Sequence, residues 1–227
     1  MGTARVFRMR WALVVVGLVV MGPLLGRTLH LEPIIPAPAA IGLGTSCLDE
    51  AAPSRPDGTL EVVPGKSEPA GEGGLITFFV EVERGLPIDP DCFARVVELT
   101  LGDRRGWTAG GRSFSRIDSG SPGLRVTLAS PDTVDASCYP LITAGIYSCW
   151  NGYRTMLNFD RWSGGTFSFD GDLVTYRTYQ INHEVGHGLG RDHRDCPGEG
   201  EPAPLMMQQT KSVGVCVPNG WPTLSEL

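Results

Sequence analysis

The sequence predicts an α+β domain, in which a strand-rich first part precedes one long helix and a loop-rich end. Three observations carry this reading. Strand-like runs dominate between residues 59 and 158. One long helical stretch, Asp172 to Leu189, follows them and holds two of the chain's four histidines. Beyond Gly190 loops are expected, with at most a short C-terminal helix.

The elements follow in order. Thr59 to Val63 reads as a first short strand. Leu75 to Val82, LITFFVEV, is β-branched and aromatic and reads as a second. Asp89-Pro90 has the form of an N-cap with proline in the first turn. Phe93, Val96, Val97 and Leu101 then recur at helical spacing, which predicts a helix over 90–101. Asp103 to Gly111, DRRGWTAGG, is a glycine-rich turn. Ser113 to Ile117 and Leu124 to Ala129 read as strands. Tyr147 to Trp150 and Tyr153 to Asn158 flank Asn151-Gly152, a dipeptide that favours a type I′ hairpin turn.

The first 56 residues read differently. Residues 1–10 carry Arg5, Arg8 and Arg10 and form a cytoplasmic N-terminus. Residues 11–26, Trp11 to Gly26, are apolar, the layout of an export signal. Sixteen helical residues reach about 24 Å against a hydrocarbon core of roughly 30 Å, a shortfall that snorkelling arginines make up. The small-residue candidate for cleavage, Ala37-Pro38-Ala39, lies well downstream and carries a proline. An uncleaved single-pass membrane anchor is therefore favoured over a cleaved signal peptide. The positive flank keeps the bulk of the chain on the extracytoplasmic side in either case. Residues 27–56 are rich in proline, alanine and glycine and read as a linker. Residues 57–227 are left as the folded domain. The net charge of −6 becomes −10 once Arg5, Arg8, Arg10 and Arg27 are set aside, so nothing points to nucleic acid as a partner. A monomer is assumed.

At the end of the long helix and just beyond it the chain reads His183-Glu184-Val185-Gly186-His187-Gly188-Leu189-Gly190-Arg191-Asp192-His193. The spacing H-E-x-x-H-x-x-G-x-x-H is the zinc-binding signature of metzincin peptidases. Positions i and i+4 share a helix face, so His183 and His187 can point two imidazoles at one ion. A left-handed Gly190 ends the helix and turns the chain so that His193 supplies the third ligand. Glu184 lies beside the first ligand, placed as a base for water held by the ion, whose pKa zinc lowers to about 7. Gly186 and Gly188 each cost roughly 1 kcal/mol against alanine in a helix. Close packing beside a metal site would explain both. Downstream, Leu205-Met206 resembles the methionine turn of metzincins, with Met206 as a soft floor under the histidines and Met207 as the fallback.

The six cysteines, Cys47, Cys92, Cys138, Cys149, Cys196 and Cys216, form no C-x-x-C pair. In an exported chain an even count points to disulfides. Sequence alone does not choose among fifteen connectivities. The preferred set is Cys138–Cys149 closing the loop before the hairpin, Cys196–Cys216 stapling the segment with the methionine turn, and Cys47–Cys92 pinning the linker to the first helix.

The run from Val174 to Lys211, with NHEVGHGLGRDH, CPG at Cys196-Pro197-Gly198 and APLMMQQTK, resembles an actinobacterial family of exported or membrane-anchored proteins. That family is described as a domain of unknown function and regarded as metzincin-like. RGWTAGG, ASPDT and NFDRW support the likeness, which covers roughly residues 57–227. The resemblance implies a small zincin domain with a twisted, mostly parallel sheet, an antiparallel edge strand and a bound zinc ion. An edge strand shortly before the zinc helix binds substrate in metzincins. Tyr153 to Asn158 holds that place in the order, making Tyr153, Arg154, Thr155 and Met156 candidate substrate-binding residues. An ordinary paired strand is the alternative. Some metzincins have a tyrosine just after the methionine turn; here Gln208, Gln209 and Thr210 follow. The expected function is an extracytoplasmic zinc metallopeptidase acting on a peptide or protein. A non-catalytic zinc-stabilised binding module and a zinc amidase acting on cell-wall peptides are the alternatives.

Overall fold

The computed structural model describes residues 41–52 and 54–227. The expected cytoplasmic N-terminus and membrane segment, and half of the linker, lie outside the described residues. Among the described residues no helix is long and apolar enough to cross a membrane.

The architecture is α+β, built on one mixed sheet of seven strands. These are β1 (Leu60–Val62), β2 (Ala70–Gly71), β3 (Gly74–Glu83), β4 (Arg112–Arg116), β5 (Leu124–Ala129), β6 (Cys149–Trp150) and β7 (Thr155–Asn158). Their order is β2-β4-β3-β5-β7-β6, with β1 paired on β3 beyond β4. The pairs β3–β4, β3–β5 and β5–β7 are parallel, whereas β1–β3, β2–β4 and β6–β7 are antiparallel. A largely parallel centre needs both faces covered. The helices do this: α1 (Pro90–Gly102), α2 (Pro131–Cys138), α3 (Phe159–Gly164) and α4 (Leu173–Gly188).

Period-two alternation sorts the strand residues between the faces. Phe78, Val80 and Val82 of β3, Val126 and Leu128 of β5 and Leu157 of β7 enter the main core with α1 and α4. Met156 points the other way, into a smaller cluster with Val134 and Cys138 of α2. Helix α1 starts where the sequence indicates: the Asp89 carboxylate accepts the N–H groups of Asp91 and Cys92 at 3.0 and 3.1 Å. It buries Phe93, Val96, Val97 and Leu101.

Helix α4 is the axis of the fold and is buried on every side from Tyr176 to Gly186. Its polar residues are therefore anchors. Arg177 donates to the carbonyls of Trp162 and Gly44 at 2.8 and 2.9 Å. Gln180 donates to Ser148 Oγ and the Asn158 carbonyl, both at 3.0 Å. Asn182 reaches the Gly220 carbonyl at 3.0 Å.

Three disulfides join Cys47–Cys92, Cys138–Cys149 and Cys196–Cys216. They are the three preferred from the sequence. Several expectations are adjusted. Residues 44–48 are packed structure and not linker: Trp162 Nε1 donates to the Ser46 carbonyl at 2.7 Å, and Leu48 bridges Ile88. Helices α2 and α3 stand where no helix is expected. The hairpin between β6 and β7 exists, but not with a type I′ turn. That turn needs positive φ at both central residues. Gly152 has φ +87° and Asn151 is not left-handed. Instead the Asn151 side chain accepts the N–H groups of Tyr153 and Arg154 at 3.0 and 2.8 Å. The Asn151 N–H donates to the Arg154 carbonyl at 3.1 Å, giving a wider four-residue loop.

Candidate metal centre

The C-terminal end of α4 presents the histidines. The helix closes in a Schellman turn: Gly190, at φ +79°, donates to the His187 carbonyl, and Arg191 donates to the Gly186 carbonyl, each at 2.9 Å. The reversal carries the chain past Arg191 and returns His193 to the helix end. Two helical glycines let other parts approach. A Cβ at Gly186 would collide with Met206 Sδ and come within 2.8 Å of Trp107 Cζ2. A Cβ at Gly188 would lie 2.7 Å from Leu124 Cδ2. Close packing, and not helix propensity, accounts for both.

The imidazole rings of His183, His187 and His193 face one another, with centroids 4.6 to 5.5 Å apart. Nδ1 of His183 lies 2.8 Å from the Leu205 carbonyl oxygen, and Nδ1 of His187 lies 2.9 Å from that of Arg191. A carbonyl only accepts, so in both rings Nδ1 carries the proton and Nε2 keeps its lone pair. Burial holds the His183 pKa down at about 3 and lowers those of His187 and His193 too, which favours the neutral, ligating form. One ring nitrogen from each histidine lies within 4.8 Å of the others, and His187 Nε2 stands 3.1 Å from His193 Nε2. Nitrogens held tetrahedrally at 2.0–2.1 Å from an ion stand about 3.3–3.4 Å apart, so these separations bracket what a metal requires.

Glu184 is buried beside the cluster. One of its oxygens, Oε2, has no hydrogen-bond partner, and desolvation raises its pKa to about 8. A buried carboxylate oxygen without a donor is unusual in a structure whose other buried acids are satisfied.

Met206 is fully buried against Gly186. The loop carrying it is tied on three sides. Its Leu205 carbonyl receives His183. Tyr179, one turn before His183 on α4, donates its hydroxyl to the Met207 carbonyl at 3.1 Å and accepts the Gln209 N–H at 3.0 Å. The buried Glu226 carboxylate accepts the N–H groups of Leu205 and Met206 at 2.9 and 2.7 Å. Neither Tyr179 nor Glu226 carries a motif that points to this loop. Tyr179 was legible only as the residue sharing a helix face with His183.

The histidines and Glu184 open into a cleft of about 510 Å³. One wall is the loop between α2 and β6, where Leu141 and Ile142 line the opening. That loop is held by Cys138–Cys149 and by Asp135, which accepts the Thr143 hydroxyl and the Gly145 N–H. Ser148, Cys149 and Trp150 line the cleft, and Tyr147 and Lys211 complete it, with Lys211 Nζ 5.2 Å from the Tyr147 ring.

The expected substrate-binding residues Tyr153, Arg154, Thr155 and Met156 do not line this cleft. Strand β7 is paired on both sides, by β5 and by β6, so it offers no free edge. Thr155 and Met156 are fully buried, and Arg154 is committed to Glu81 at 2.6 Å. The outer strand is β6, the other arm of the same hairpin.

Fold and site together define a class: a mixed-sheet α+β domain whose central helix ends in a three-histidine cluster beside a buried glutamate. A family model described as "Protein of unknown function (DUF3152)" matches residues 49–217. The chain belongs to that family. No curated protein and no solved structure matches it.

Proposed function

We propose that the protein is a metzincin-like zinc metallopeptidase that works on the extracytoplasmic side of a membrane. The observation that carries this reading is the convergence of three imidazole nitrogens within 4.8 Å beside a buried carboxylate with an unpartnered oxygen. His183, His187 and His193 would hold the ion. Zinc, when bound, supplies Lewis acidity and acidifies water next to it. A nearby positive charge also favours the ionised form of Glu184 against the burial that raises its pKa.

Glu184 then takes a proton from the attacking water and delivers it to the leaving amine. The Nδ1 hydrogen bonds to Leu205 and Arg191 fix the ring orientations and keep Nε2 free to ligate. Tyr147 and Lys211, which line the same cleft, would serve as donors for charge growing on the carbonyl oxygen, in place of a tyrosine after the methionine turn. An extended peptide would pair with the outer edge of β6 and lay an apolar side chain against Leu141 and Ile142. The antiparallel edge strand, the glycine-ended helix and the buried Met206 support the metzincin likeness. Three disulfides support an oxidising compartment.

The purified protein, incubated with a peptide library with and without a chelator, tests the reading. Chelator-sensitive cleavage that is lost in Glu184→Ala is the expected result. Cleavage of wall fragments alone would move the substrate to cell-wall amides. Stoichiometric zinc without any hydrolysis would leave a binding module.

A further inference from the structure

We infer that Glu226 is a positioning residue for the histidine cluster, acting from outside the helix and outside the cleft. The metal arm of this inference rests on the zinc reading above; its other arm does not.

Glu226 is 1% exposed, yet its carboxylate is fully used. Oε1 accepts the Met206 N–H at 2.7 Å. Oε2 accepts the Leu205 N–H at 2.9 Å, the Thr223 N–H at 2.7 Å and the Thr223 hydroxyl at 2.8 Å. An ionised carboxylate has about four lone-pair positions, all acceptors. Four donors converge here, a match that no neutral side chain of this size makes.

Two of these donors are the backbone of Leu205 and Met206, the residues that touch the metal helix. The Leu205 carbonyl receives Nδ1–H of His183, and the Met206 side chain lies against Gly186. Fixing the Leu205 peptide therefore fixes the acceptor that sets the His183 tautomer. The neighbouring residue makes a second tie. The Leu227 carbonyl accepts Arg191 Nη2 at 2.8 Å, and the Arg191 carbonyl is the acceptor for Nδ1 of His187. The turn from Thr223 to Leu227 thus braces both backbone carbonyls that orient the two helix histidines. Neither link needs an ion to be present. Partners of this kind change metal affinity by about 10–100-fold when removed from zinc sites.

The test compares Glu226→Gln and Glu226→Asp with Glu83→Gln. Glu83 is also 1% exposed and also accepts backbone N–H groups, from Gly58 and Ser130, so Glu83→Gln reports general destabilisation. Each variant is checked for folding by circular dichroism. It is then measured in two ways: Zn²⁺ and Co²⁺ affinity, with the cobalt absorption spectrum, and the ¹⁵N tautomer state and proton exchange of His183 in the metal-free protein. Glu226→Gln should lose at least tenfold in metal affinity, alter the cobalt spectrum and speed exchange of the His183 Nδ1 proton at least tenfold. Glu226→Asp, which keeps the charge, should recover part of each, and Glu83→Gln should move none. If the wild type binds neither ion while Glu226→Gln still frees the His183 proton, the positioning role stands and the zinc reading falls. Wild-type exchange at His183 in both Glu226 variants would overturn the inference, as would equal shifts in Glu83→Gln.

Discussion

On the side of the sheet away from α4, Glu81 is buried with donors on both oxygens; beside the α4 histidines, Glu184 is also buried and its Oε2 has no donor. Glu81 receives Arg125, Arg154 and Thr127. Burial alone would raise its pKa, but Arg154, Thr127 and Arg125 outweigh burial and leave it lowered. Nothing offsets burial at Glu184, and its pKa rises to about 8. Two buried glutamates are thus a structural tie in one place and, in the other, an acid without a donor that the proposed mechanism uses as its base. The difference lies in whether the fold provides a cationic partner: Arg125 and Arg154 do so at Glu81, and Glu184 Oε2 has no partner.

The sharpest way to break this contrast is to neutralise each acid. Glu184→Gln should lower hydrolysis by about 10³-fold, the scale of a general base, while zinc content stays at the wild-type level. Parallel loss of zinc would instead make Glu184 part of the binding site.

Next in size is the pH dependence of the metal-free protein. Raising a carboxyl pKa in the folded state means that folding favours the protonated form. The Glu184 contribution is therefore fully favourable below pH 4.5 and is lost as pH rises towards and through about 8. Metal-free Glu184→Gln should gain on wild type across that window, by about 4 kcal/mol at the top. Urea melts at pH 5 and pH 9 check this, and a constant gap would contradict it. Glu81 has the opposite sign: its contribution is present above pH 4.5 and is lost as pH falls through its lowered value.

Glu81→Ala should destabilise by about 3 kcal/mol, because it strands Arg125 and Arg154 on a covered face, with zinc affinity unchanged. Chemical denaturation and metal titration of one sample decide it. The smallest effect is Gly186→Ala, which must displace Met206 and Trp107. Overpacking of this kind costs about 1–3 kcal/mol and should loosen metal binding as Met206 moves; a neutral result would remove the close-packing account of that glycine.

Much of this is legible in the sequence alone. The stretch from Asp172 to His193 announces the cap of α4, its histidines and its left-handed end without a break. Strands β3 and β5 show themselves by apolar and β-branched density. What stayed hidden depends on weak or distant pairing. Helix α2 has a cap, Ser130, and a first-turn proline, Pro131, but only Val134 and Cys138 are buried, too few for a helical stripe. Helix α3 spans six residues. Which arm of the last hairpin lies outermost depends on β7 docking against β5, and no local pattern encodes that. Glu226 answers N–H groups 20 and 21 residues away, and its local Thr223-x-x-Glu226 pattern marks only the turn it sits in.

The central claim is tested most directly by metal analysis of the purified protein with X-ray absorption at the zinc edge. One zinc per chain, three nitrogen ligands at about 2.0–2.1 Å, and loss of the ion in His183→Ala, His187→Ala and His193→Ala are expected. Zinc content that is absent in the wild type, or unchanged when these histidines are removed, would contradict the account.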